Sequence, residues 1–176
     1  MLRTPTKRRG FTITEILIAV LLVLILSAIA VPRLLGNQRQ ADDASAKAQL
    51  RTSAEVARNL MYEAGNSFST ADSAKMQLDE PNIKFTDAES KVDGRTRSVS
   101  VKPATGTPSS SWVGASLGGQ INSTQSNCWY IKLNTRTKDE FGVKVVDIDS
   151  NGNAATCIAT SPPATFTGNY DFPTAG

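Results

Sequence analysis

Lys7-Arg8-Arg9-Gly10-Phe11-Thr12-Ile13-Thr14-Glu15 runs directly into an uncharged apolar stretch, Ile16–Val31, closed by Pro32. The order matters. A basic cluster comes first, then one carboxylate, then enough apolar chain for a long helix. A carboxylate at the head of a membrane-length helix costs on the order of a few kcal/mol to place in lipid. A chain that keeps such a charge is expected to have a partner for it.

Three readings of this segment compete. A secretory signal peptide fits the basic start, the apolar core and the small-x-small pattern at Ala28-Ile29-Ala30. Glu15 argues against it, because a charge there weakens insertion with no gain. A plain membrane anchor fits the length: Phe11 to Val31 gives about 31 Å of helix at 1.5 Å per residue. It leaves the carboxylate unexplained. The third reading cuts the chain between Gly10 and Phe11. The new amine at Phe11 of one copy can then pair with Glu15 of a neighbour, and a paired buried charge is tolerated where an unpaired one is not.

Residues 10–32, Gly-Phe-Thr-Ile-Thr-Glu with the apolar run and Pro32, resemble the class III leader and N-terminal helix of type IV prepilins and pseudopilins. Gly10, Phe11, Glu15 and Pro32 carry the resemblance, which extends in style over residues 7–60. Thr14 is more polar than the aliphatic residue usual at its position. The resemblance implies a prepilin peptidase that cuts after Gly10 and N-methylates Phe11. It implies that Glu15 is the assembly carboxylate and that Pro32 marks a helix kink. It also implies an α+β pilin fold: a long N-terminal helix, transmembrane then amphipathic, packed on a small antiparallel β-sheet of about four strands.

The charge balance agrees with a discarded leader. Of 19 Lys and Arg, four precede residue 10, and the remaining 15 meet 16 Asp and Glu. The body is nearly neutral, so nucleic-acid binding by bulk charge is not supported. The basic residues before the span place the N-terminus in the cytoplasm and residues 33–176 outside. Histidine is absent, which removes the commonest general base and zinc ligand. No nucleophile with a partner and no phosphate-cradling loop is visible, so the chain reads as a structural protein and not an enzyme.

The rest of the chain divides into a cleaved leader (1–10), a transmembrane and assembly helix (11–32) and an amphipathic half of the same helix (33–62). A connector with a first strand (63–102) and a β region (103–176) follow. Ala46, Leu50, Ala54, Ala57 and Met61 recur at helical spacing and are expected to pack on the sheet. Gly65-Asn66 ends the helix. A short helix is expected near residues 69–78. Strands are expected at Arg97–Lys102, Cys128–Leu133 and Gly142–Ile148, with a short one at Trp112-Val113. Asn151-Gly152 is a hairpin signal that predicts a returning strand at Asn153–Thr160. Trp112, Trp129 and Tyr130 are expected in the core, the alternative being an exposed binding surface. Cys128 and Cys157, an even count in an exported chain, are expected to form a disulfide. It would close a loop of roughly 30 residues, worth roughly 3–4 kcal/mol in the chain-entropy model.

Two further motifs stand apart. Asp147, Asp149 and Asn151 match the first half of a calcium loop. The residue at the bidentate glutamate position is Ile158, so the competing reading is a plain hairpin flanked by carboxylates. No other cofactor is indicated. Asn122-Ser123-Thr124 is a glycosylation sequon in a Ser/Thr-rich segment, against the plainer reading of an unmodified loop.

The expected function is a structural subunit of a type IV pilus filament. It would sit in the cytoplasmic membrane before assembly and in a cell-surface pilus afterwards. Its partners would be copies of itself in a helical homopolymer, other pilins, prepilin peptidase, the assembly platform protein and the motor ATPase. The alternatives are a pseudopilin of a type II secretion or DNA-uptake system, or a minor adhesive tip pilin.

Overall fold

The structure is a computed structural model that describes residues 11–93, 96–105, 109–149, 157–166 and 172. For 28–37, 93 and 96 it describes secondary structure alone. The chain folds as two units, residues 1–37 and 38–176. Helix α1 (Ile13–Glu63) supplies most of the described part of the first unit and the packing helix of the second.

In the first unit, the apolar side chains from Ile16 to Leu26 that the helix carries are exposed on every face. Such a helix is stable against lipid or other helices, not against water. Among the described residues no helix is long and apolar enough to cross a membrane. The expected span 11–32 runs into residues 28–37, whose side chains lie outside the described set, and so does the kink expected at Pro32.

In the second unit α1 is amphipathic. All five residues of the expected stripe, Ala46, Leu50, Ala54, Ala57 and Met61, are buried, with Leu60 and Ser53 beside them. The helix ends where expected. Gly65 and Asn66 take φ of +67° and +66°. Asn66 N–H reaches Met61 O at 2.9 Å, and Gly65 N–H reaches Tyr62 O at 3.2 Å. This is a Schellman stop, and Gly65 is the residue that adopts its left-handed position without cost. A 3-10 turn (Phe68–Thr70) and helix α2 (Ser73–Asp79) follow, α2 being capped by Asp72.

Among the described residues the sheet has six strands, where about four were expected. They are β1 (Lys84–Thr86), β2 (Val92–Asp93), β3 (Thr96–Pro103), β4 (Ser111–Gln120), β5 (Gln125–Asn134) and β6 (Glu140–Asp147). Their order is β1-β3-β4-β5-β6, with β2 also on β3. Among the described strands only the β1–β3 pair is parallel. The α+β class, with a helix on a mostly antiparallel sheet, is as expected. The extra strands β1 and β2 are too short to show alternation in a polar connector. The short strand at Trp112-Val113 is instead ten residues long. Gly114, Ser116, Gly118 and Gly119 hide it, since glycine is a poor strand former in isolation.

The sheet is covered on both faces. Toward α1 it presents Val99, Val101, Trp112, Trp129, Ile131 and Leu133, joined by Phe68, Met76, Phe85, Phe141 and Phe172. Trp112 donates its indole N–H to Ala71 O at 3.0 Å, so even its polar edge is satisfied. The opposite face packs Ala115, Leu117, Cys128, Tyr130 and Val146 against Cys157. Trp112, Trp129 and Tyr130 are therefore core residues, as expected. The expected returning strand is not seen: Cys157–Thr160 is irregular and turn, and residues 150–156, with the Asn151-Gly152 turn, lie outside the described residues. The segment is held instead by the Cys128–Cys157 disulfide, by Ser90 N–H on Cys157 O, and by Ala159 N–H on Ser100 Oγ.

Candidate functional site

The first turn of α1 gathers Phe11, Thr12 and Glu15. Thr12 is the last non-helical residue, and Glu15 is the third residue of the helix. The Glu15 carboxylate accepts from Thr12 N–H and from the Thr12 hydroxyl, each at 3.0 Å. Glu15 N–H in turn reaches Thr12 Oγ1 at 3.3 Å. This reciprocal pair is a capping box, which satisfies two donors that a helix start otherwise leaves open. A carboxylate there also meets the positive end of the helix dipole. The geometry adds something the charge argument missed. Glu15 has hydrogen-bond donors within its own chain, although no cation among them. The signal was present: Thr12-Ile13-Thr14-Glu15 is a T-x-x-E sequence in front of an apolar run.

Phe11 stands next to this box, 83% exposed, and Ile13 is 80% exposed. Gly10, the other side of the expected cut, lies outside the described residues. The structure thus presents an apolar residue and a hydrogen-bonded carboxylate at the head of an apolar helix.

Residues 5–31 match the prokaryotic N-terminal methylation motif. The match supports a type IV pilin- or pseudopilin-like precursor. The motif implies processing by a prepilin peptidase and assembly with other pilins, and it fits a membrane-anchored precursor. No curated protein and no solved structure matches the chain.

The other expected residues fall elsewhere. Cys128 and Cys157 are bonded, with Cα atoms 5.5 Å apart. Asp147 ends β6, and its Oδ1 accepts from Gln125 Nε2 at 3.3 Å. Asp149 follows β6, and Asn151 lies outside the described residues. Among the described residues no three His, Cys, Asp or Glu side chains are grouped to hold a metal. Asn122 is exposed in the turn between β4 and β5.

A second polar constellation was not visible in sequence. Asp43 on α1 accepts from Gly119 N–H at 2.8 Å, Trp129 Nε1 at 2.7 Å and Asn127 Nδ2 at 3.1 Å. Next to it Arg97 of β3, nearly buried, donates to Asp42 at 3.2 Å and to Gly118 O at 3.4 Å. Burial pulls the Arg97 guanidinium below its ordinary value, and the Asp42 and Asp43 carboxylates oppose that. These residues fasten α1 to the sheet.

Proposed function

We propose that the chain is a structural subunit of a type IV pilus filament. It is cut after Gly10, methylated on Phe11 and polymerised through its N-terminal helices. The observation that carries this reading is the first turn of α1, where Glu15 sits beside exposed Phe11 at the head of a fully apolar helix. The motif match over residues 5–31 supports it. In this reading the Phe11 amine of one copy meets the Glu15 carboxylate of the next, a charged pair in a medium where an unpaired charge is strongly disfavoured. The capping box holds the carboxylate until that amine arrives. Residues 33–176 form the outer surface.

Mass spectrometry of surface material sheared from cells tests the reading. The expected result is a chain that begins at N-methylated Phe11 and dominates the fibre by mass. A chain still carrying residues 1–10 would overturn the processing step. Glu15→Ala is expected to leave the chain cut and in the membrane but to block filaments. Normal filaments from that variant would overturn the pairing.

A further inference from the structure

The turn between β4 and β5 carries the chain's single Asn-x-Ser/Thr sequence, Asn122-Ser123-Thr124. The structure places it where a modifying enzyme can reach it. Residues 122–124 are exposed, and they form the tip of a hairpin between two ten-residue strands. The tip is anchored at its base: Ile121 N–H donates to Gln125 O at 2.8 Å, and Ile148 N–H donates to Thr124 O at 2.8 Å. Within it the Asn122 amide oxygen accepts from Thr124 N–H at 3.0 Å and from the Thr124 hydroxyl at 3.2 Å. The two side chains that define the sequon therefore project as one exposed unit. The Asn122 nitrogen donates to Gln125 Oε1 at 2.9 Å, an exposed bond that water replaces readily.

We infer that Asn122 is an N-glycosylation site, presented by the β4–β5 hairpin tip on the exported domain. The inference rests on the export that the proposed function entails. The co-reactant is a lipid-pyrophosphate-linked saccharide. The Asn122 side-chain nitrogen bonds to the anomeric carbon of the sugar, and the bond from that carbon to the phosphate oxygen breaks. The lipid pyrophosphate leaves with the electron pair, and one amide proton passes to a base of the transferase. Asn122 stays an amide, so nothing is oxidised or reduced. Asn122 is exposed at the tip and is not among the residues of either core, so a glycan there displaces no core packing.

Peptide mass spectrometry of the full chain from the cells that make it tests the site. The peptide containing Asn122 should carry a saccharide mass in most copies. Asn122→Gln and Thr124→Ala should each abolish it, whereas Thr124→Ser, which keeps the hydroxyl, should retain it. A chain cut after Gly10 and disulfide-bonded, yet bare at Asn122, would overturn the inference and leave the proposed function standing. An uncut chain with both cysteines reduced would overturn both. Persistence of the mass in Thr124→Ala would also overturn it, because the hydroxyl would then not be read.

Discussion

Trp129 donates its indole N–H to the Asp43 carboxylate at 2.7 Å, which joins the centre of the sheet to one face of α1. The same oxygen accepts Gly119 N–H, and Lys47, one helical turn on, places its ammonium 3.9 Å from the centroid of the Trp129 ring. The approach is close because Gly118 has no side chain. A Cβ there would stand 2.6 Å from Trp129 Nε1 and closer still to Asp43. A carboxylate with three donors holds the helix against the sheet more specifically than the alanine stripe beside it.

Asp43→Ala is expected to lower stability by about 2–3 kcal/mol, because it strands Gly119 N–H and the Trp129 indole in a largely buried setting. Asp43→Asn should fall between the two. Gly118→Ala should cost about 1–3 kcal/mol by overpacking the same spot. The double variant Asp43→Ala/Gly118→Ala should cost less than the sum, since both break one contact. Urea unfolding of the full chain in detergent measures all of these, and additive costs would refute the shared contact.

The disulfide should be a large contributor. Cys128→Ser/Cys157→Ser is expected to lose roughly 3–4 kcal/mol through the entropy of the opened loop. Reductant should do the same to the native chain and nothing to the variant. Equal midpoints with and without reductant would count against it.

Alkaline pH should act through Tyr130. Burial, the larger cause, pushes its phenol from 10.0 up to about 12, while a backbone contact from Ile158 partly offsets this. The fold binds the phenol proton more tightly than the unfolded chain does, so this stability is complete below pH 10 and is lost as pH rises toward about 12. Tyr130 should form tyrosinate late, together with unfolding. Tyr130→Phe should remove that late step. Ionisation of Tyr130 near pH 10 in the folded chain would be the contrary result.

Thr12→Val removes the hydroxyl that Glu15 N–H reaches, while the residue-12 N–H still meets the Glu15 carboxylate, and should weaken the first turn of α1 by about 0.5–2 kcal/mol. Thr12→Ser should be nearly neutral. Amide hydrogen exchange over residues 13–17 in detergent reads the effect directly. Unchanged protection in Thr12→Val would show that the cap does not hold the helix start.

How much of this was legible depends on sequence separation. The stop at Gly65-Asn66, the buried stripe from Ala46 to Met61 and the T-x-x-E cap are all written within a few residues. The cap is legible from the spacing of Glu15 from Thr12, and not from the charge of Glu15. Strand β4 was underestimated because its glycines have no strand preference of their own. They earn their place only from the helix and the Trp side chains that lie over them.

The chain alone determined the helix, its apolar head, its N-terminal methylation motif and the cysteine pair, since each rests on local periodicity, local composition or a count. Tertiary structure decided the strand order, the parallel β1–β3 pair and the fastening of Asp43 to Gly119 and Trp129. Those last contacts join residues 76 and 86 positions apart. A hydrogen bond of that span leaves no repeat or spacing in the sequence, because its geometry exists only after the sheet has formed and the helix has packed on it.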